Sequence, residues 1–311
     1  MNPFEKICAA DPKTQEVVAL ARRVASSAST VLIEGESGVG KDLLANAMHY
    51  ASDRAEGPYV RIDCPNLTEE LVECELFGYE PGAFTDARGR KKGKFELADK
   101  GTLYIDGIDH LSLVLQAKLL RPLQEKVVQR LGSTVEHELD VRIIASSQLD
   151  VAEEVRVGAF RSDLFFRLAV VHIKVPPLRQ RRADIGLLAK ALAREAGVRT
   201  GRPAFDVSEE AVAVMKRYSW PGNVREMKNV LERLAMTCSA DQAGADEMLA
   251  VLPALGFGTD SRPLTLREVE FQYIEEILDR TGHNVTTAAG LLGISRKAVY
   301  DHLRRTSGRS V

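Results

Sequence analysis

Hydrophobic positions in the first 175 residues form short apolar runs separated by longer stretches with helical spacing. The stretches carry apolar residues on one helical face, as in Leu111–Gln129. Strands that alternate with helices are typical of a parallel sheet covered by helices. We therefore predict an α/β core over residues 1–175. Its predicted strands are Val31–Ile33, Tyr59–Ile62, Thr102–Ile105, Val141–Ala145 and Val170–Ile173.

After Pro176 the pattern changes to helical spacing alone, which predicts an all-helical domain over 176–240 with no strand between its helices. Residues 241–263 have weak periodicity and recurring Gly and Pro, which predicts a linker. A last helical block fills residues 264–311. The predicted helices of the second domain are Ala183–Ala196, Ser208–Tyr218 and Val224–Cys238.

The composition is that of a globular protein, with 45% hydrophobic and 28% charged residues among 311. No apolar run approaches the roughly 18 residues that span a membrane, so we expect no membrane partner. The net charge of −2 argues against a nucleic-acid binder charged over its whole surface, but it leaves room for a small basic module. Four widely spaced cysteines favour reduced thiols over a metal site or disulfides.

The segment after the first predicted strand carries the most specific chemistry. A glycine-rich loop between a strand and a helix is the arrangement that binds phosphate in P-loop proteins. Its glycines let backbone N–H groups point at phosphate oxygens, and a lysine adds positive charge. A turn without a ligand is the alternative, but the flanking strand and helix favour ATP binding. The loop consists of Gly35, Glu36, Ser37, Gly38, Val39, Gly40 and Lys41.

Two acidic residues are candidates for the magnesium region of such a site. Asp42 stands where most P-loops place a Ser or Thr hydroxyl on Mg²⁺, and Asp106 follows an apolar strand, as a Mg²⁺ ligand should. In hydrolysing members of the class a Glu follows that Asp and polarises the attacking water. Here the next residue is Gly107, with Asp109 two positions further on. Hydrolysis therefore stays open, and Gly107→Glu is expected to raise it.

From about Ile7 to Cys238 the chain resembles the AAA+ domain of bacterial sigma-54-dependent transcription activators, or enhancer-binding proteins. Its phosphate loop is similar to the family's GESGTGKE, whose last position is normally acidic. Glu75–Ala87 resembles ELFGHEKGAFTGA. The resemblance implies that Phe84 and Thr85 contact the sigma factor. From the residues alone, Phe84 is equally compatible with a tucked loop anchor.

Two further motifs resemble the same family. Phe160–Arg167 is similar to FREDLYYRL, which implies that Arg161 and Arg167 face the nucleotide of a neighbouring subunit in a ring oligomer. Trp220–Glu226 is nearly a family signature. Its Arg225 then corresponds to the lid arginine that senses nucleotide, while Asn223 is expected to cap the following helix.

Three departures from the family pattern bear on hydrolysis. Gly107 removes the catalytic Glu, Asp63 replaces an Asn that restrains that Glu, and Ser147–Gln148 replaces a Thr-Asn pair. Gln148 thereby stands at the nucleotide-sensor position. Together the departures predict ATP binding with slow or absent hydrolysis.

The C-terminal block predicts a helix-turn-helix. A helix over Leu264–Thr281 could pair with a copy of itself, and Thr286–Leu292 and Ser295–Arg305 flank a turn at Gly293–Ile294. Five basic residues and one acidic residue lie between Asn284 and Val311, which suits phosphate contacts. The segment resembles the Fis-like DNA-binding domain of sigma-54 activators. The predicted DNA contacts are Ser295, Arg296, Lys297, Tyr300 and Arg304.

The resemblance implies a transcription regulator of the bacterial cytoplasm. It would bind an enhancer-like DNA site as a dimer, assemble into a ring, bind ATP and Mg²⁺, and act on sigma-54 RNA polymerase. The alternative is a hydrolysis-deficient, nucleotide-binding co-regulator in a mixed oligomer. Met1 precedes the predicted core by only a few residues, so we expect no receiver or ligand-sensing domain before it. We therefore expect control by a partner protein or by expression level.

Overall fold

The computed structural model describes residues 3–84, 89–252, 273–274, 277–278, 281, 285–294, 296 and 299. The chain divides into two compact units, Met1–Gly258 and Thr259–Val311. The strands in chain order are β1 Val31–Glu34, β2 Tyr59–Asp63, β3 Gly78–Tyr79, β4 Lys91–Lys92, β5 Thr102–Asp106, β6 Val127–Gln129, β7 Glu136–Glu138, β8 Arg142–Ser147, β9 Val171–Lys174, β10 Asp206–Val207 and β11 Gln242–Ala243.

Helices cover most of the remaining described residues. They are α1 Pro12–Ala25, α2 Lys41–Tyr50, α3 Glu69–Phe77, α4 Lys94–Leu97, α5 Leu113–Glu125, α6 Val151–Arg156, α7 Ser162–Leu168, α8 Asp184–Arg199, α9 Glu209–Arg217, α10 Asn223–Thr237, α11 Ala245–Val251 and α12 Val285–Leu292. Short 3-10 helices are Pro3–Lys6, Cys64–Asn66, Ile108–His110 and Leu178–Gln180. Within the described residues, every helix is too short or too polar to span a bilayer.

The core is a five-stranded sheet in the order β2-β5-β8-β1-β9, with every neighbouring pair parallel. All residues of β1 and β8 are buried, because central strands of a parallel sheet are covered on both faces. Strands in parallel end at the same edge, so Glu34, Asp63, Asp106 and Ser147 meet there. The predicted α/β parallel-sheet class is confirmed.

The predicted helix Leu111–Gln129 is wrong at both ends. Ser112 caps α5 by accepting the backbone N–H of Leu115, and Lys126 ends it in a left-handed conformation with φ 56°. The next three residues form β6, which pairs antiparallel with β7. β-branched Val127 and Val128 favour that extended conformation.

The helical lid packs α8, α9, α10 and α11 around the fully buried Trp220, whose Nε1 donates to the Met215 carbonyl at 2.8 Å. The prediction of no strand in this domain needs correction, because β10 pairs with β11. β11 and α11 also lie in the segment predicted as a linker. Ala243 and Met248 are buried in the lid core, so the structure adds residues 242–252 to the lid.

In the C-terminal unit α12 packs Ala288 and Ala289 against a small apolar cluster. The cluster also buries Ile274, Ile277 and Leu278, residues of the helix predicted to pair with a copy of itself. These three side chains are therefore buried within the unit. Gly293 follows α12 with φ 66°, the left-handed conformation in which glycine commonly ends a helix.

Candidate nucleotide-binding site

The glycine-rich loop leaves the buried end of β1 and opens α2. The backbone N–H of Gly35 donates to the carbonyl of Ser147 at 3.2 Å, which ties the loop to β8. Gly38 and Gly40 have φ of 77° and 104°, a region that favours glycine. A Cβ built on Gly38 would lie 2.5 Å from the Gly222 carbonyl of the lid, whereas one on Gly40 meets nothing within 4 Å. Open space therefore adjoins the loop at Gly40.

Lys41 lies across this loop. Its Nζ donates to the carbonyls of Gly35 at 2.5 Å and Glu36 at 3.1 Å, and only 7% of the residue is exposed. Burial lowers the Lys41 pKa, while the charges of Asp106 and Asp109 oppose that shift. A buried cation over a glycine cradle fits the phosphate chain of a nucleotide.

Asp106 uses both carboxylate oxygens within the protein. Its Oδ1 accepts from Ser146 Oγ at 2.6 Å, and the Tyr104 Oη lies 3.3 Å from the same oxygen. Its Oδ2 pairs with Arg61 Nη2 at 2.6 Å. The carboxylate predicted to hold Mg²⁺ is thus already bonded to the Ser146 hydroxyl and the Arg61 guanidinium.

Arg61 is a member of this site that sequence reasoning missed. Its Nη1 pairs with Asp42 Oδ2 at 2.6 Å, and its Nη2 lies 3.6 Å from Asp63 Oδ2. Burial tends to lower the pKa of Arg61. The charges of Asp42 and Asp106 nevertheless raise that pKa above its usual value, because they favour the charged guanidinium. The described residues contain no group of three His, Cys, Asp or Glu side chains arranged to hold a metal. With Arg61 in this position, the residues do not fit magnesium.

The turn after Asp106 departs from its predicted role. Gly107 has φ 76°, and a Cβ there would lie 2.5 Å from Pro65 Cδ, so Gly107→Glu would strain the turn as well as add a carboxylate. The Asp109 side chain is 1% exposed. Its Oδ2 accepts the backbone N–H of Gln148 at 3.3 Å, while its buried Oδ1 has no hydrogen-bond partner among the described residues. The side chain of Gln148 is exposed.

The lid contacts the loop through its charged and polar side chains. Arg179 forms two bonds to Glu36, at 2.6 and 2.9 Å, and this pairing lowers the Glu36 pKa. Arg225 Nη1 donates to Ser37 Oγ at 2.5 Å. The lid arginine predicted to sense nucleotide therefore reaches the phosphate loop itself.

Asn223 does not cap α10 as predicted, because Gly222 holds the N-cap position. Its Oδ1 accepts the backbone N–H of Leu178 at 2.8 Å, and its Nδ2 donates to Glu36 Oε2 and the Ser37 carbonyl at 3.1 and 3.0 Å. Asn223 has φ 52°, which Asn tolerates better than most residues. The side chain thus joins the lid to the loop.

Comparison with known proteins gives the family. Residues 7–174 match the family model of the sigma-54 interaction domain, which is more than half of the chain. The chain belongs to the sigma-54-dependent transcription activators. Residues 179–254 of this activator match the AAA+ ATPase lid domain, and residues 265–305 match the Fis family of bacterial regulatory proteins.

Relatives and solved structures agree with this assignment. The activator is 43% identical to the transcriptional regulatory protein ZraR of Escherichia coli, over 94% of this chain and 67% of ZraR. It is 40% identical to the regulatory protein AtoC of E. coli, over 93% of this chain and 65% of AtoC. The structure of NtrX from Brucella abortus in complex with ADP superposes with a TM-score of 0.74 at 32% identity, covering 96% of this chain and 69% of NtrX.

The two arginines predicted to act across a subunit interface of this sigma-54 activator lie at α7. Arg161 precedes the helix, is paired with Asp163 at 2.8 Å and is 40% exposed. Arg167 Nε donates to the Leu123 carbonyl at 3.1 Å. In the described part of the chain, no hydrogen bond or ion pair joins either guanidinium to the phosphate loop of the same chain.

The segment predicted to contact the sigma factor follows β3. Phe84 is 41% exposed, and its ring lies 5.0 Å from that of Tyr79 in an edge-on arrangement. Among the described residues, Phe84 therefore packs against Tyr79 and keeps part of its surface exposed. Thr85 lies outside the described residues.

Of the predicted DNA contacts, Arg296 is described, and it is exposed on helical backbone. Val299, from the same predicted helix, is fully buried in the apolar cluster with Ala288. The other predicted contacts, Ser295, Lys297, Tyr300 and Arg304, lie outside the described residues.

Proposed function

We propose that this chain binds ATP at the loop Gly35–Lys41 and acts from DNA as an oligomeric activator of sigma-54 RNA polymerase. The observation that carries the proposal is the convergence on one loop of the buried Lys41 ammonium and the lid arginine Arg225. Solved structures of NtrX, 32% identical to this chain, are complexes with ADP and with ATP.

Each predicted residue then has a role. Lys41 would hold the β- and γ-phosphates. Arg225 would give up its bond to Ser37 and bind the nucleotide instead. Arg161 and Arg167, free of the loop in their own chain, would face the nucleotide of a neighbouring subunit, where a guanidinium offsets transition-state charge. Magnesium at Asp106 would require the release of Arg61.

The remaining contacts would be with the transcription machinery. Phe84, together with Thr85, would contact sigma-54, since an exposed aromatic side chain on a loop suits a protein interface. The C-terminal unit would bind an enhancer-like DNA site as a dimer. Such a site would carry two half-sites about one helical turn apart.

Transcription in vitro from a sigma-54 promoter that carries the DNA site tests the proposal. We expect RNA only when both this chain and the sigma-54 holoenzyme are present. Because the polymerase also uses ATP as a substrate, the need of this chain for ATP is tested with a variant instead of by omission of ATP. Lys41→Ala should abolish both ATP binding and RNA synthesis, whereas the control Lys190→Ala, which removes a surface lysine paired with Glu209, should retain both. Equal ATP affinity in wild type and Lys41→Ala would show that the loop is not the nucleotide site.

A hydrolysis-deficient co-regulator is the second candidate, and Gly107 favours it. The position lacks a carboxylate, and a Cβ there would overlap Pro65. Loss of a positioned general base costs about 10²–10⁴-fold in rate, so we expect turnover below about 0.1 per second. A steady-state rate of about 1 per second or more would contradict this candidate.

A further inference from the structure

The sheet edge where Asp63 and Asp106 lie already contains a positively charged side chain, Arg61. Arg61 pairs with Asp42 and Asp106, each at 2.6 Å, and lies 3.6 Å from Asp63. We propose that Arg61 is a built-in counter-ion that takes the place of magnesium beside the phosphate loop, so that nucleotide binds here without needing a divalent cation. This inference rests on the proposed binding of ATP.

Strand register fixes the position of Arg61. On β2 and β5, Arg61 is paired with Tyr104 and Asp63 with Asp106. Side chains two residues apart on a strand lie on the same face, so the four side chains share one face of the sheet. The Arg61 guanidinium also lies over the Tyr104 ring, 5.8 Å from its centroid. The strand register therefore places the Arg61 guanidinium beside Asp106, and the Tyr104 ring packs against it.

The remaining polar atoms are arranged around a guanidinium. Tyr104 Oη donates to Asp42 Oδ1 at 2.9 Å, and Ser146 Oγ donates to Asp106 Oδ1 at 2.6 Å. Mg²⁺ needs oxygen ligands in near-ideal octahedral geometry. To bind here it would have to displace a guanidinium from two ion pairs and compete with two hydroxyl groups for the carboxylates.

Charge balance supports the same conclusion. Arg61 and Lys41 offset part of the negative charge that Asp42, Asp63, Asp106 and Asp109 bring to the site. The Arg61 side chain is also 42% exposed, so its remaining N–H groups are open to a ligand. Guanidinium groups bind phosphate oxygens well because their planar donors match two oxygens at once.

Calorimetry of ATP binding with Mg²⁺ and with EDTA tests the inference. Wild type should change affinity by less than about threefold between the two, whereas Arg61→Gln should bind at least about tenfold more weakly in EDTA. Arg54→Gln is the matched control, because Arg54 pairs with Asp140 instead of the site carboxylates. It should behave as wild type. A tenfold dependence on Mg²⁺ in wild type would overturn the proposal.

Thermal unfolding without nucleotide separates this inference from the proposed function. We expect Mg²⁺, compared with NaCl at equal ionic strength, to raise the melting temperature of Arg61→Gln but not that of wild type or Arg54→Gln. An equal rise in wild type and Arg61→Gln, or no rise in either, would overturn the role of Arg61. Failure of all variants to bind ATP would contradict the proposed function, while this second measurement would still decide the role of Arg61.

Discussion

Two structural constraints act together on Gly107. Its φ of 76° disfavours any side chain, and the space where a Cβ would lie is taken by the Pro65 ring. A Glu at position 107 would therefore fit only if the backbone of this turn changed. The missing carboxylate at position 107 and the left-handed conformation of this turn therefore go together.

Gly107→Ala should lower the free energy of unfolding by about 2–4 kcal/mol, from left-handed strain and overpacking together. Gly158→Ala is a control with nearly the same backbone, since Gly158 has φ 79° and an added Cβ would meet nothing within 4 Å. It should cost only about 1 kcal/mol. Urea denaturation of both variants gives the comparison, and equal losses would refute the role of Pro65.

The double variant Gly107→Ala with Pro65→Ala isolates the clash. Removal of the ring should recover part of the stability lost in Gly107→Ala, so the two changes should be non-additive in a double-mutant cycle. Strict additivity would show that backbone strain alone makes Gly107 necessary.

The phosphate-loop residues could be predicted from sequence because a strand, a glycine spacing and a helix are all local features. The role of Arg61 could not be predicted, since its partners Asp42 and Asp106 are distant in sequence. Only the folded sheet brings their carboxylates close to Arg61. Asn223 was predicted to be a helix cap, but its bonds to Leu178 and Glu36 depend on how the lid packs on the core.

Among the elements, the hairpin β6–β7 supports the loop that carries Phe84. The Leu131 N–H donates to the Gly78 carbonyl, and the Glu80 N–H donates back to the Leu131 carbonyl, both at 3.0 Å. Arg130, 7% exposed, pairs with Glu80 at 2.7 Å and with Glu96 at 2.5 Å. This hairpin occupies part of a segment predicted as helix, because apolar spacing alone did not reveal the left-handed Lys126.

Arg130→Met should lower the free energy of unfolding by about 2–3 kcal/mol, because it removes charged hydrogen bonds and leaves two partly buried carboxylates without their cation. Arg90→Met removes another partner of Glu80, one that is 66% exposed. Its cost should stay below about 1 kcal/mol. Chemical denaturation compares the two, and similar small losses would show that Arg130 does not stabilise the loop base.

At the scale of the whole molecule, the phosphate loop is one of the places where the lid is joined to the core. Asn223→Ala removes bonds to the Leu178 N–H, to Glu36 and to the Ser37 carbonyl. We expect a loss of about 1–3 kcal/mol in unfolding free energy and faster amide exchange in the lid. Unchanged exchange at α10 would contradict a connecting role for this side chain.

In the second unit, Arg296 is a predicted DNA contact and its side chain is exposed. If that side chain contacts a base, Arg296→Ala should cost about 1–3 kcal/mol at the specific site and little on random DNA. Arg217→Ala, an exposed arginine of lid helix α9, is the control and should change neither. Fluorescence anisotropy with both DNAs tests this, and an equal loss on both would indicate a phosphate contact instead.

The position of Trp220 has a spectroscopic consequence. It is the chain's single tryptophan, and it is fully buried in the lid beside Tyr218, at a ring separation of 5.1 Å. Selective excitation of the indole therefore gives an intrinsic optical probe of the lid, without contribution from the sheet or from the C-terminal unit. A red shift in its emission that precedes the loss of circular dichroism would mark a lid that melts before the rest of the chain.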